Sequence, residues 1–422
     1  MREVKLDMYI PRVLDSVLSE ALEAAGGVVI EGPRYCGKTT TAKQAAKSTV
    51  ELDKETGLLA IAKADPSIIL VGETPRLIDE WQLAPTIWNV VRHEIDNRRK
   101  NGQFILTGSA VPKDDITRHS GAGRFVRLPM ETMTLAEKGV SSAEISFGGL
   151  FDGTANESAI GGLSVRDYID VLFQGGWPAL LETNEKGVRL VLENYVDEIA
   201  RVDINTPGEM THDPVRVRAL LRSLARNTAN EFPNSKLAVE SAESGKPLSD
   251  QTVRNYLDAL CRIHILKNQP GWNTHLRSRV RLIANPKRHL ADPSIALAAI
   301  GASKDELSRD GNALGFFFES LVVHDLRVYA KRLGGEVFHY RDSSGLEIDA
   351  VIELRDSSWC GIEVKMPESD INMAAGHLLA LKVKLADKVR QRCAFLAVIT
   401  SGRASYIRPD GVRVISLAHL GA

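Results

Sequence analysis

The chain has 422 residues, 44% hydrophobic and 25% charged, which is too long for one core and too apolar for a disordered chain, so two to four domains are expected. Its 33 glycines and 17 prolines are close to average usage and exclude collagen-like and low-complexity classes. The 53 basic side chains nearly cancel the 54 acidic ones, so a nucleic-acid partner would have to be met by a local basic patch. Cys36, Cys261, Cys360 and Cys393 lie far apart without a CxxC pair, which disfavours a zinc site or a disulfide framework and suits a reducing cytoplasm. The start of the chain lacks the apolar core of a signal peptide, and no run approaches about 18 uncharged apolar residues, so a soluble cytoplasmic protein with no membrane partner is expected.

In chain order, Val13, Leu14, Val17, Leu18, Ala21 and Leu22 recur at helical spacing, and Gly26-Gly27 stops that helix. Val28 to Ile30 reads as a buried strand, followed by a glycine-bearing turn and a helix from Lys38. Further strands are expected at Thr49–Leu52, Leu77–Asp79, Phe104–Thr107 and Arg124–Leu128. Strands alternating with helices predict a parallel sheet covered on both faces. Gly148–Gly162 reads as a glycine-rich connection, Ser164–Ala229 as helical, and 236–263 as two helices around a Gly-Lys-Pro turn. A strand is expected at 280–284, an apolar helix at Leu314–Tyr329, and strands at Val337–Tyr340, Ile348–Leu354, Gly361–Val364 and Ala394–Ile399.

Gly32-Pro33-Arg34-Tyr35-Cys36-Gly37-Lys38-Thr39 satisfies GxxxxGK[ST] between a strand and a helix, the context that motif needs. Backbone N–H groups of such a loop, continuing into Thr40, point at phosphate oxygens, and the helix adds its positive end. Lys38 would span the β- and γ-phosphates of ATP, and Thr39 would offer its hydroxyl to Mg2+. Asp79 and Glu80, ending the strand Leu77–Asp79, supply the carboxylates such a site needs, Asp79 for the metal and Glu80 for the attacking water. The competing reading of that pair is a helix cap. Phe104–Thr107 leads to Ser109, where a hydroxyl could sense the γ-phosphate.

The ordered run GPRYCGKTT, LIDEWQ and FILTGSA resembles the AAA-type ATPases of bacteria and archaea that carry a C-terminal domain of unknown function. Trp81 stands where that family has an aliphatic residue, a change remote from phosphate chemistry. Later segments, GGWPAL, TVRNYLDALCRIHIL, RHLADPSIAL and FFFESLVVHDL, extend the resemblance over nearly the whole chain. Fast hydrolysis needs an arginine at the departing phosphoryl group, and Arg118 and Arg124 are placed for it, or are plain surface arginines. Cys36 inside the loop is either oxidation-sensitive or a small buried filler.

Helices at Val215–Ala229, Leu237–Ala242 and Ser249–Ile263 form a trihelical pattern, the last with Val253, Tyr256, Leu257 and Leu260 inward and Gln251, Arg254 and Asn255 outward. Ile263–Leu266 and Val280–Ile283 would make a wing. His275, Arg277, Arg279, Arg281, Lys287, Arg288 and His289 form a local basic cluster able to neutralise DNA phosphates. The competing use is packing or protein contact.

In the tail, Asp349 precedes Glu363-Val364-Lys365 on the next strand, and alternation puts Glu363 and Lys365 on one face. This resembles the restriction-endonuclease-like superfamily, whose chemistry uses paired carboxylates on Mg2+ and a lysine beside the attacking water. Glu319, in a helix apolar on nearly every side, would need a cation and could share that metal with Asp349 and Glu363. The alternative keeps the fold with an inert site in which Lys365 pairs with Glu363 or Asp349. Lys382, Lys384, Lys388, Arg390 and Arg392 are either phosphate contacts or a solvated helix face.

The expected architecture is therefore α/β: an AAA-type P-loop NTPase parallel sheet (1–150), a helical connection (151–212), a winged-helix domain (213–292) and a restriction-endonuclease-like α/β domain (293–422). The expected activity is Mg2+-dependent ATP hydrolysis coupled to DNA. The alternative is a nucleotide-switched scaffold that binds protein partners, and self-association is left open. A P-loop kinase fits less well, because Asp79-Glu80 suits water as nucleophile.

Overall fold

The computed structural model describes residues 9–54, 56–110, 121–204, 213–242, 247–273, 285–366 and 368–422. It divides into two compact units, one ending at Thr132 and taking in Leu260–Ile265, the other made of Met133–Ala259 and Leu266–Ala422.

The first unit is built on five parallel strands, β1 (Gly27–Glu31), β2 (Ser48–Glu51), β3 (Arg76–Asp79), β4 (Phe104–Gly108) and β5 (Phe125–Pro129), in the order β2-β3-β4-β1-β5. Alternation along the strands splits their apolar residues between two faces, as a sheet buried on both sides requires. Val29, Ile78 and Leu106 join Trp81, Trp88 and Ile95 in one core. Val28, Ile30, Leu77 and Ile105 join Leu14, Leu18 and Leu22 in the other. Trp88 stacks on Phe125 at 4.3 Å between centroids and sits 5.2 Å from Trp81, which is itself fully buried. The strand register aligns the polar ends of the sheet. Ile30 and Asp79 both lie beside Thr107, which brings the C-terminal ends of β1, β3 and β4 to one edge.

Pro214–Arg226 and Asn234–Glu240 are helices of the second unit, as is Asp250–Arg262 up to Ala259, and Asn230–Glu231, Lys287–Leu290 and Leu266–Gln269 form a three-stranded antiparallel sheet in that order. Val253, Tyr256, Leu257 and Leu260 are buried and Gln251 and Arg254 exposed, as their spacing predicts, while Asn255 is half-buried. A larger sheet follows the 22-residue helix Gly311–Arg332: Glu336–Arg341, Glu347–Glu353 and Trp359–Lys365 pair antiparallel, and Cys393–Thr400 then adds parallel to Trp359–Lys365. Arg413–Ser416, Ala404–Ile407 and Ala159–Ile160 extend it to seven strands. The helix Ile371–Lys384 buries Ile371, Ala374, Leu378 and Leu381 against Trp359, Leu396 and Val398.

One expectation changes here, and another falls outside the described residues. Gly148–Gly162 is no plain connection: it contains the helix Phe147–Asp152 and the edge strand Ala159–Ile160, while Ile145–Ser146 just before it pairs with Leu420–Gly421. Two-residue strands carry too little alternation to be read. The strand expected at 280–284, with its wing segment Val280–Ile283, lies outside the described residues, and the strand the structure shows in this region is Lys287–Leu290.

Buried histidines should make the second unit acid-sensitive. Burial, then the Lys287 charge, hold His339 down to about 4, and burial with the Arg327 and Lys287 charges hold His289 well below its usual value. A lowered folded-state value means that the unfolded chain takes up the proton first, so stability is intact above about pH 6.5 and is lost as pH falls toward the folded value. Denaturant titrations of the parent and of His339→Gln near pH 7 and pH 5 should show the parent losing roughly 2 kcal/mol more than the variant. Equal losses would assign the acid response elsewhere.

Candidate nucleotide site

β1 ends at Glu31 and the chain turns beneath Met130 into the loop 32–37. A Cβ on Gly32 would lie 2.2 Å from the Met130 carbonyl oxygen, so only glycine fits that turn. Gly37 takes φ 102°, in the left-handed region, and starts the helix Lys38–Ala45 with its first amides facing the loop. Arg12 fastens the loop from outside, donating to the carbonyls of Cys36 at 2.8 Å and Glu131 at 2.9 Å. Cys36 is fully buried, which favours the filler over the oxidisable thiol, and Arg34, Tyr35 and Thr40 are exposed. Lys38, itself buried, donates to the carbonyls of Gly32 at 2.9 Å and Pro33 at 2.7 Å, so its amine already lies within the loop.

Opposite the loop, Asp79 is buried and accepts hydrogen bonds from Thr39 at 2.8 Å and from Thr107. Burial raises its carboxyl, and the two hydroxyls counter that by bonding to the charged form. Thr39 and Asp79, expected as metal partners, are thus brought together. A buried carboxylate whose partners are hydroxyls is a donor set that suits Mg2+. Glu80 takes a left-handed conformation (φ 53°), a strain of about 1–3 kcal/mol for a non-glycine residue, and aims its carboxylate at Ser109 (3.1 Å) and Gln82. Asp79, Glu80 and Ser109 therefore form one cluster at the sheet edge. Arg124 is placed otherwise, in an ion pair with Asp96 at 2.7 Å, and Arg118 lies outside the described residues.

Sequence reading gave no role to Arg12, Gln82 or Thr107. Gln82 and Thr107 stand inside LIDEWQ and FILTGSA and were findable there. Arg12 carries no sequence signal, because its acceptors are backbone carbonyls.

A second cluster lies in the large sheet of the other unit. Asp349 accepts from the Val364 amide at 2.9 Å and from Lys365 at 3.2 Å, and Lys365 also pairs with Glu363 at 2.7 Å. Glu319 faces them from its helix, and Lys287 reaches Glu319 at 2.8 Å, Glu347 at 2.9 Å and Asp349 at 3.3 Å. Burial and the Asp349 charge push Glu319 and Glu363 up. Burial opposes the charge on Asp349 too, but Lys287 and Lys365 outweigh it and hold that carboxyl low, so the negative charge concentrates there. The residues expected as catalytic and metal-binding do converge, with a lysine among them that was expected elsewhere.

That lysine corrects the basic cluster. Lys287, Arg288 and His289 are buried: Arg288 donates to Asn234 at 2.7 Å and to the Phe232 carbonyl, and His289 contacts Ser320 and Gln269. These three partner the protein interior, because their strand lies between two others and each side chain meets an acceptor or hydroxyl within the protein. His275, Arg277, Arg279 and Arg281 lie outside the described residues. In the tail, Lys384 pairs with Asp342 and Arg390 with Asp387, while Lys388 and Arg392 are exposed.

Comparisons with known proteins bear on the domains rather than on single residues. Residues 25–138 match the model of an AAA domain, and 165–306 and 314–420 each match a domain of unknown function. An uncharacterized protein of Mycobacterium bovis and one of Mycobacterium tuberculosis are each 26% identical over 358 residues, 82% of this chain and 72% of theirs. A solved Walker-type ATPase of Pyrococcus abyssi aligns with 71% of this chain and 98% of its own at 13% identity, with a TM-score of 0.44. No helix among the described residues is long and apolar enough to cross a membrane. With the GxxxxGKT loop, the buried Asp79 and the family match falling on the same residues, the chain carries an AAA-type P-loop ATPase domain.

Proposed function

We propose that the protein is a Mg2+-dependent ATPase whose nucleotide state acts on DNA held by its C-terminal part. The observation that carries the hydrolytic half is the 2.8 Å contact between the Thr39 hydroxyl and the buried Asp79 carboxylate, with Glu80 one residue on. A bound Mg2+ would supply charge neutralisation of the phosphate oxygens. The loop amides and Lys38 would cradle the phosphates, and Thr39 and Asp79 would hold the metal beside them. Glu80 orients or deprotonates water, with Ser109 as the hydroxyl that reports the terminal phosphate to it.

Support for the DNA half is architectural. Helix, strand, two helices and two strands over residues 214–290 suit a winged helix, with Gln251 and Arg254 exposed on the third helix. A helix, three antiparallel strands, a helix and a parallel strand over 311–400, with the acids on the second and third strands, suit a nuclease-like unit. One observation favours the second reading, a nucleotide-switched scaffold for protein partners: burial withdraws Lys287, Arg288 and His289 from any phosphate-facing surface.

ATP turnover measured with and without single- and double-stranded DNA separates the two. Stimulation together with salt-sensitive binding supports DNA, whereas turnover that ignores DNA and shows no such binding supports the scaffold. In the same assay Lys38→Ala should lose nucleotide affinity, and Glu80→Gln should keep affinity while turning over slowly, by about 100-fold or more. Unchanged turnover in Glu80→Gln would remove Glu80 from the chemistry. Gly32→Ala should displace the loop at about 1–3 kcal/mol and weaken ATP binding roughly tenfold, read by isothermal titration, because its Cβ would strike a backbone carbonyl.

A further inference from the structure

The resemblance of the tail to metal-dependent nucleases implies a divalent cation among Glu319, Asp349 and Glu363, and the residues present do not fit one. Among the described residues, no three His, Cys, Asp or Glu side chains group as a metal site requires. An ammonium stands in the way. Lys287, its side chain 3% exposed, lies 2.8 Å from Glu319, 2.9 Å from Glu347 and 3.3 Å from Asp349. An ammonium has three donors, and here they face three carboxylates, so a positive charge already stands where a cation would. On the other side Lys365 bridges Asp349 and Glu363.

The amine is also held from behind. Lys287 opens a strand that pairs with Gln269 on one side and Glu231 on the other. Gln269 in turn donates to the carbonyls of Phe338 (2.9 Å) and Asp349 (2.8 Å), and His289, two residues along, contacts Gln269 at 2.9 Å and Ser320 at 3.1 Å. The strand that delivers the lysine is therefore tied to the strand that carries Asp349 and to the helix that carries Glu319. Withdrawing the amine would break these ties and strand a buried charge.

We infer that Lys287 is a built-in counterion that takes the place of the divalent cation, closing this acidic cluster to metal and leaving the nuclease-like unit to bind without cutting. The inference does not rest on the P-loop reading, and nucleotide-free protein tests it.

The test is Mn2+ binding to the full chain, by calorimetry and by electron paramagnetic resonance of free Mn2+, in the parent, Glu363→Gln, Lys287→Met and Lys287→Met/Glu363→Gln. The parent and Glu363→Gln should take up equal Mn2+. Lys287→Met should take up one further equivalent, lost again in the double variant, and Mn2+ should raise its unfolding temperature but not the parent's. An equivalent that the parent loses on Glu363→Gln overturns the inference, as does a folded Lys287→Met that gains none. Should Lys287→Met fail to fold, Lys287→Met/Glu319→Gln, which removes one acid with the amine, takes its place: uptake dependent on Glu363 supports the inference, and no uptake overturns it.

Discussion

The nucleotide-binding unit of this protein depends on one buried carboxylate. Asp79 ends a central strand where water is excluded, and a charge there is tolerated only if donors surround it. The strand order supplies them. Because β4 lies between β1 and β3, Thr107 stands directly beside Asp79, and the loop leaving β1 returns Thr39 from the other side. Burial raises the carboxyl even though two hydroxyls bond to its charged form, so a cation beside it would be stabilising. Glu80 follows from the same constraint. The next residue cannot continue the strand without entering the core that Trp81 fills, and the chain turns through a left-handed conformation that brings the Glu80 carboxylate toward Ser109.

Much of this was legible because it is local. Val28–Ile30 is a short β-branched run, Gly32 and Gly37 punctuate a turn, and Asp79-Glu80 close an apolar strand, so chemistry and secondary structure share one stretch of chain. The strands found at Gly27–Glu31, Arg76–Asp79 and Phe104–Gly108 differ from the expected ones by no more than a residue at either end. What was not legible is long-range. Lys287 meets Glu319 and Asp349 across 32 and 62 residues, and counting charges along the chain makes it part of a basic patch when the fold makes it a counterion. The glycine-rich 148–162 stretch misleads for a related reason: Ala159–Ile160 become a strand only because Ala404–Ser405 offer an edge to pair with. Arg124 likewise has Asp96 as a partner that spacing does not reveal.

The two acidic clusters show how the choice of neutralising group decides what a site can do. Both place a carboxylate on a strand inside a covered sheet, and both must offset its burial. Around Asp79 the partners are hydroxyls, which have lone pairs of their own and can stay as ligands beside an arriving cation. Around Asp349 the partners are ammonium groups, which have donors only and must leave before a cation can enter. The first arrangement is incomplete without a bound charge and so responds to what binds. The second is complete as it stands, and its four acids and two lysines join the helix Gly311–Arg332, the strand Lys287–Leu290 and the strands Glu347–Glu353 and Trp359–Lys365 into one frame. A chain that needed to cut with this unit would gain nothing from a lysine there. One that needed a rigid platform for a partner would.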